Sequence, residues 1–182
     1  MSINAALARL LNDMASMMEL LGQDAFKAAA HARAARAIED FPGDIGSVAR
    51  GPTGKADLQK IPGIGAKTAE KIVEFALAGA IGEHAQLSAQ VPPGLMELLQ
   101  VPGLGPKTVR TFWTEARVCS PADLQRIIDD GSILKLPRMG AKSVEKIKAA
   151  LAIAGEAGKR LRLGQAAIAA DAVIAYLKSR VR

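Results

Sequence analysis

The stretch IPGIGAKT, residues 61–68, returns along the chain as VPGLGPKT, residues 101–108. A third, altered copy reads LPRMGAKS, residues 136–143. Each copy follows a short apolar segment and precedes a run of apolar residues at helical spacing. Each copy therefore predicts a helix, a tight hairpin and a second helix. This repeated unit is the strongest indication of the fold.

The remainder of the sequence also predicts an all-α fold. Aromatic residues make up only 3% of the chain, and small or aliphatic residues dominate, which is typical of closely packed helices. Apolar residues at helical spacing predict a first helix over residues 5–21, which Gly22 ends. Asp24 is expected to cap a second helix, and residues 161–181 are expected to form a final long helix.

The segment between the first helix and the first repeat carries a charge pattern. Lys27, His31 and Arg36 recur at helical spacing on the second helix, which predicts a basic strip on its exposed face. Between Asp44 and Lys60, two short helical turns are expected around a Gly-Pro breaker.

Charge and cysteine content limit the class of partner and compartment. The net charge is +6, and residues 121–182 hold twelve Lys or Arg against six Asp or Glu. Such an excess fits a polyanionic partner, but a basic helical protein can also gain solubility this way. The single cysteine, Cys119, excludes an internal disulfide and predicts a reducing compartment, the cytoplasm. No segment is long and apolar enough to cross a bilayer, and residues 1–21 indicate an amphipathic helix rather than a signal peptide.

The glycines of the two intact copies suggest an anion site. They allow positive φ and leave the backbone amides without covering side chains. The second helix of each unit begins there, so its first amides and its positive dipole end point toward the same place. Lys67 and Lys107 add positive charge just inside those helices. The alternative is that a Pro-Gly turn between helices is only a turn. In the third copy Arg138 replaces the first glycine, so we expect a purely structural hairpin that lacks the bare amides, although the Arg138 side chain could reach a phosphate.

The order and spacing of the two intact copies resemble the X-family DNA repair polymerases, which include polymerase beta and bacterial members. The resemblance extends from the first helix to the segment RLRLGQAAIAADAVIAYL, residues 160–177. It implies a lyase-type domain over residues 1–85 with the first helix-hairpin-helix motif. It also implies a fingers-type domain over residues 86–182 with the second motif, the altered hairpin and a C-terminal helix. In that family the first hairpin grips DNA downstream of a gap and the second grips the primer side.

The resemblance implies backbone contacts with DNA, and hairpin carbonyls that hold Na⁺ or K⁺ beside a phosphate. The expected DNA-contacting residues are Lys27, Lys60, Gly63, Ile64, Gly65, Lys67, Thr68, Gly103, Leu104, Gly105, Lys107, Thr108 and Arg110. The carbonyls expected at the cation are those of Gln59, Ile61 and Ile64 in the first hairpin and of Leu99, Val101 and Leu104 in the second. No other cofactor is expected. The chain stops at Arg182 without an Asp-x-Asp pair, so we expect no polymerase or nuclease activity.

The resemblance also places Lys71 on the lysine that attacks an abasic 5′-deoxyribose phosphate in the lyase domain of the family. A lysine amine attacks an aldehyde only when neutral, and a nearby cation such as Lys67 favours the neutral form. The family match puts Lys27 and His31 across the pocket, with Lys27 and Lys67 as phosphate ligands, and gives Glu70 a role in proton transfer.

Two departures weaken this pocket. His31 stands where a tyrosine is usual, and Glu83 stands where a phosphate-binding lysine is expected. On the plainer interpretation, Lys71 is a solvated charge on a helix.

Three functions remain open on the sequence. The leading hypothesis is a monomeric, sequence-independent binder of gapped or nicked duplex DNA. The second is a 5′-deoxyribose phosphate lyase with Lys71 as nucleophile and with Glu70 and His31 as candidate catalytic partners. The third is a protein-interaction scaffold, since helical hairpin arrays also dock partners.

Overall fold

The computed structural model describes residues 2–154, and this part of the chain contains helices and no strand. The expected all-α fold is therefore confirmed, whereas the helix expected over residues 161–181 lies outside the described residues. The helices are α1 (Asn4–Leu20), α2 (Ala25–Glu39), α3 (Ile45–Ala49), α4 (Gly54–Gln59), α5 (Ala66–Ala78), α6 (Gly82–Ser88), α7 (Pro93–Leu98), α8 (Pro106–Ala116), α9 (Pro121–Asp129) and α10, described over residues 141–154. A 3₁₀ turn, Ser132–Lys135, precedes α10 by five residues.

Helices α1 and α2 make the most extensive contact in the fold. Leu7, Leu11, Met14 and Met18 lie along one face of α1 at spacings of three and four residues, and all are buried. Asp24 caps α2 by accepting a hydrogen bond of 2.8 Å from the amide of Phe26, as expected from the sequence. This helix pair forms the base on which the first hairpin rests.

Three connections between helices contain the repeated motif. We name them hairpin 1 (residues 60–65, between α4 and α5), hairpin 2 (residues 99–105, between α7 and α8) and hairpin 3 (residues 136–140, before α10). The two short helical turns expected before hairpin 1 are α3 and α4, so that prediction is confirmed.

The N-terminal helix pair and the second repeat share one apolar core, because α1 also packs against α6 and α8. At the end of α1, Gly22 has φ of 67° and lies beneath Arg110 of α8. A Cβ at Gly22 would lie 2.2 Å from an Arg110 guanidinium nitrogen, so a larger residue would displace the end of that side chain, and the positive φ is what favours glycine here. The packing therefore fixes α8, which follows hairpin 2, relative to α1.

The basic strip expected on α2 is wrong at one position. Lys27 and Arg36 are exposed, but His31 is only 6% exposed. His31 falls on the stripe that includes Ala28, Ala35 and Ile38 and faces the core, so its helical position buries it. The exposed face of α2 is therefore basic at two of these three positions.

Within the described range, no helix is both long and apolar enough to span a membrane.

Candidate nucleic-acid interface

Hairpins 1 and 2 form the same tight turn. Gly63 and Gly103 have φ of 95° and 86°, a region that side chains rarely tolerate. In hairpin 1 the Ile64 amide donates to the Ile61 carbonyl at 3.1 Å, and in hairpin 2 Leu104 donates to Val101 at 3.0 Å. The repeated sequence therefore produces a repeated backbone.

The start of the helix after each turn exposes amide donors. Gly65 and Gly105 are the N-caps of α5 and α8, and as glycines they supply no side-chain acceptor. Over residues 2–154, the amides of Gly63, Gly65, Ala66 and Lys67 have no hydrogen-bond acceptor. Because the positive end of the helix dipole adds to these free donors, the start of α5 favours an anion.

Space for a ligand lies next to these amides. Among the described residues, no atom beyond the adjacent chain lies within 4 Å of the position that a Cβ would take at Gly65, Gly103 or Gly105. At hairpin 1 the space is a cavity of about 600 Å³, lined by hairpin 1, the first turn of α5, and Ala30 and Arg33 of α2. A backbone phosphate can therefore approach the amides without displacing protein atoms.

The lysines at the two hairpins differ in whether a carboxylate pairs with them. Lys67 and Lys107 are exposed, and neither forms an ion pair with another described residue. Lys60 is also exposed, but its Nζ lies 2.7 Å from Asp57 Oδ1. The free positive charge at the start of α5 and α8 thus comes mainly from Lys67 and Lys107.

Several residues expected to contact DNA are buried and stabilise the protein's own turns. The side chains of Ile64 and Leu104 are buried, and their amides already donate within the hairpins. Thr68 is only 5% exposed, although it lines the cavity, and Thr108 is partly buried. Lys27 is exposed near the start of α2.

The carbonyl oxygens expected to bind Na⁺ or K⁺ are chemically suitable ligands for such a cation. The Ile61 and Val101 carbonyls each accept one hydrogen bond within the turn, which leaves each oxygen a second lone pair. Carbonyl oxygens are ligands that suit hard cations. The part of the chain that the structure describes contains no cluster of His, Cys, Asp and Glu that could hold a metal ion.

Lys71 is held by a carboxylate. Its Nζ lies 2.8 Å from Glu83 Oε2, and its side chain is 15% exposed, so it is not a fully solvated surface charge. Glu70 lies next to it in sequence but pairs with Lys55 at 2.5 Å. The hydrogen bond from Lys55 lowers the pKa of Glu70, so Glu70 is a weaker base than an ordinary glutamate. Of the two carboxylates, Glu83 is the one that contacts the Lys71 amine.

His31 has one ring nitrogen engaged and one without a partner. Nδ1 lies 2.8 Å from the Lys27 carbonyl, and since a carbonyl only accepts, Nδ1 carries the proton. Nε2 is buried without a hydrogen-bond partner among the described residues. The hydrogen bond that His31 makes is thus with Lys27 of the same helix and not with Lys71.

Hairpin 3 corrects an expectation from the sequence. Arg138 has φ of 63°, close to the values of the glycines in hairpins 1 and 2, and the Met139 amide donates to the Leu136 carbonyl at 3.2 Å. The altered copy therefore forms the same turn, and Gly140 precedes α10 as Gly65 precedes α5. The replacement of glycine by arginine costs about 1–2 kcal/mol in this conformation but does not prevent it.

Comparisons with known proteins match the segments that contain the three hairpins. Residues 2–81 match the helix-hairpin-helix domain, and residues 95–152 match the SAM-like helix-hairpin-helix tandem. Over 158 residues, 87% of the chain, the sequence is 32% identical to the DNA polymerase/3'-5' exonuclease PolX of Bacillus subtilis (strain 168). The chain therefore contains helix-hairpin-helix domains and is similar over most of its length to an X-family DNA polymerase. It spans 26% of the length of the Bacillus relative.

The sequence did not predict the positions of two residues near hairpin 1, Arg33 and Glu83. Arg33 lies three residues after Ala30 and four before Ala37, on the face of α2 that covers hairpin 1. Helical spacing could have indicated that face, and the family resemblance already set Lys27 of α2 across a pocket from Lys67. From the sequence, Glu83 was noted only because it stands where a phosphate-binding lysine is expected, whereas the structure places it against Lys71.

Proposed function

We propose that this chain binds duplex DNA through the sugar-phosphate backbone, without reading the base sequence, and that hairpins 1 and 2 make the contacts. The observation that carries the proposal is the combination of free amides and open space at the start of α5. Such groups contact phosphates and carry no base information. The helix-hairpin-helix matches and the likeness to a DNA polymerase support DNA as the partner.

Charge and composition agree with this mode of binding. The net charge of +6 favours a polyanion, and Lys67 and Lys107 are free to meet phosphates. Aromatic side chains, which stack on the bases of single strands, make up only 3% of the sequence. A duplex with a gap or nick is the proposed target, because two separate hairpins can hold the backbone on either side of the break.

A DNA titration at several salt concentrations tests the proposal. We expect the logarithm of the affinity to fall linearly with the logarithm of salt, by about 0.9 for each phosphate neutralised. The substitution Lys67→Ala with Lys107→Ala should make that slope less steep. The matched control is Arg9→Ala with Arg36→Ala, which removes two exposed charges from α1 and α2. A slope near zero for the wild-type chain would contradict backbone binding and would favour the protein-interaction scaffold.

The preference for broken duplex is tested separately. Gapped, nicked and intact duplexes of equal length are compared at one salt concentration. Tighter binding to the gapped or nicked duplex supports the proposed target, whereas equal affinities would leave backbone binding without that preference.

A second candidate function is 5′-deoxyribose phosphate lyase activity, which the partial burial of Lys71 favours and its ion pair with Glu83 opposes, because burial disfavours an ammonium ion whereas a carboxylate stabilises it. In this reaction the Lys71–Glu83 ion pair opens, the ammonium gives its proton to water, and the neutral amine adds to the sugar aldehyde. Loss of water gives an imine. Water then removes a proton from the neighbouring carbon, the carbon–oxygen bond to the 3′ phosphate breaks, and the phosphate leaves with the downstream strand. Hydrolysis of the remaining imine frees Lys71.

Borohydride trapping tests this candidate. Hydride reduces the imine to a stable amine, so a gapped duplex with a 5′-deoxyribose phosphate should become covalently attached to the chain. The adduct must vanish in Lys71→Ala, while that variant should still bind DNA. Absence of an adduct with the wild-type chain would remove the lyase and leave the binding proposal intact.

The finer expectations from the sequence stay predictions. These are the boundary near residue 85, the monomeric state, the cytoplasmic location, a monovalent cation at the hairpin carbonyls and the absence of polymerase and nuclease activity.

A further inference from the structure

Hairpin 3 and the first turns of α10 carry a dense group of positive charges. Lys135, Arg138, Lys142 and Lys146 are all exposed, and none pairs with a carboxylate in the part of the chain that the structure describes. Glu145 is the single acidic residue in residues 134–146. Among the described residues this surface is therefore strongly basic.

The corresponding surfaces of the other two hairpins carry fewer free cations. At hairpin 1, residues 59–71, two of three lysines are paired, Lys60 with Asp57 and Lys71 with Glu83. At hairpin 2, residues 99–111, the cations are Lys107 and Arg110. Hairpin 3 thus offers a polyanion more free charge than either of the hairpins to which backbone binding is attributed.

One of these cations, Lys142, occupies the same position of the repeat as Lys67 and Lys107. Lys142 follows Gly140 by two residues, as Lys67 follows Gly65 and Lys107 follows Gly105. The turn before it has the same hydrogen bond as hairpins 1 and 2. Lys142 therefore stands at the start of α10 as Lys67 stands at the start of α5.

Arg138 occupies a backbone position where glycine would cost less. A residue held in a sparsely populated conformation often coincides with a functional surface. Here the side chain is an exposed guanidinium at the tip of the hairpin, and a guanidinium binds a phosphate through two parallel hydrogen bonds.

We propose that hairpin 3 is a third contact with the DNA backbone, in which the side-chain cations Arg138 and Lys142 add to the amides at the start of α10. The inference rests on the proposed DNA binding. Helix α9 packs against α7 and against the 3₁₀ turn that precedes hairpin 3, which connects this surface to the second repeat. A duplex held by hairpin 2 would then extend over hairpin 3.

The substitution Arg138→Gly is a suitable test, because glycine adopts positive φ readily and the turn should persist. We expect the thermal unfolding midpoint not to fall and the salt slope of DNA binding to become less steep by about 0.9. Adding Lys142→Ala should bring the change to about 1.8, for two phosphates no longer neutralised. Arg138→Lys keeps the charge and should retain the slope of the wild-type chain.

The control is again Arg9→Ala with Arg36→Ala, which removes the same amount of charge from α1 and α2. If the Arg138→Gly, Lys142→Ala variant keeps the wild-type slope while Lys67→Ala with Lys107→Ala lowers it, hairpin 3 is not a contact and DNA binding itself stands. The same conclusion follows if the Arg9, Arg36 control lowers the slope as much. If the wild-type chain shows no salt-dependent binding, both proposals fail.

Discussion

Lys71 Nζ lies 2.8 Å from Glu83 Oε2, an ion pair that joins α5 to the first turn of α6. The pair is partly shielded, since the Lys71 side chain is 15% exposed and that of Glu83 is 39% exposed. It contributes to the packing of these helices whether or not it also takes part in chemistry.

Removal of the Glu83 charge is expected to lower stability. Glu83→Gln leaves the Lys71 ammonium without its partner, and we expect the free energy of unfolding to fall by about 1 kcal/mol, the upper end for pairs with solvent access. Urea denaturation measures this. Lys60→Gln breaks the more exposed pair with Asp57 and should cost about 0.5 kcal/mol or less. Equal losses in the two variants would contradict a special role for the Lys71 pair.

The two carboxylates near Lys71 should differ in the borohydride assay. We expect Glu83→Gln to speed formation of the trapped adduct, because it removes the carboxylate that stabilises the Lys71 ammonium, and Glu70→Gln to change it little, because Lys55 engages Glu70. The measurement is the rate of adduct formation against pH. Loss of trapping in Glu70→Gln with normal trapping in Glu83→Gln would reverse the assignment.

Two glycines of hairpin 1 should separate binding from stability. Gly65 has an ordinary φ of −86° and open space around its Cβ position, so Gly65→Ala should fold normally. The added methyl lies over the free amides, and we expect a loss of about 1.5 kcal/mol in DNA binding, roughly tenfold in affinity. Titration with DNA and a thermal melt of the same variant check both parts. Normal affinity would show that phosphates do not approach at Gly65.

The substitution Gly63→Ala should act on the fold instead. At φ of 95° an alanine is strained, and its Cβ would lie 3.4 Å from Ala37 Cβ. We expect the free energy of unfolding to fall by about 1–2 kcal/mol. Denaturant unfolding provides the measurement, and an unchanged midpoint would mean that the hairpin relaxes to another backbone conformation.

The local features of the fold could be predicted from the sequence, because they depend on neighbours along the chain. The Asp24 cap, the end of α1 at Gly22 and the turns of hairpins 1 and 2 all follow from residue types at short spacing. The part of the site that depends on packing between helices could not be predicted. The burial of His31 and the place of Arg33 beside hairpin 1 require the angle between α2 and the first repeat.

Arg138 shows a different limit. A glycine-to-arginine change in a turn that needs positive φ suggests a broken motif, yet the cost of about 1–2 kcal/mol is small enough for neighbouring contacts to offset. Ile133 is fully buried just before hairpin 3, and Ile147 is buried within α10. These contacts anchor both sides of the turn, which residue preference alone does not reveal.

Asp13 predicts a dependence of stability on pH. Burial raises its pKa, against the opposing charges of His84 and Arg9. The folded state therefore binds the Asp13 proton more tightly than the unfolded state does. The contribution of Asp13 to stability falls as pH rises from the unfolded value of 3.8 through the folded pKa, and the cost is fully present above it.

The substitution Asp13→Asn removes this cost. We expect a higher melting temperature than that of the wild-type chain at neutral pH and little difference below pH 3.8. Thermal melts at several pH values provide the comparison. A variant that is less stable at neutral pH would indicate that attraction to His84 and Arg9 outweighs burial.

The packing of α8 against α1 bears on how the proposed contacts with DNA would add together. Because α1 holds α8 in place, the start of α8 after hairpin 2 keeps a set position relative to the helix pair beside hairpin 1. Once one hairpin has captured a strand, the second meets the same duplex at a high effective concentration, provided that the backbone follows the spacing of the two grips. On the proposed function, two individually weak contacts would then give a long residence time on DNA whose backbone fits that spacing, and a duplex that does not fit would be released after a single contact.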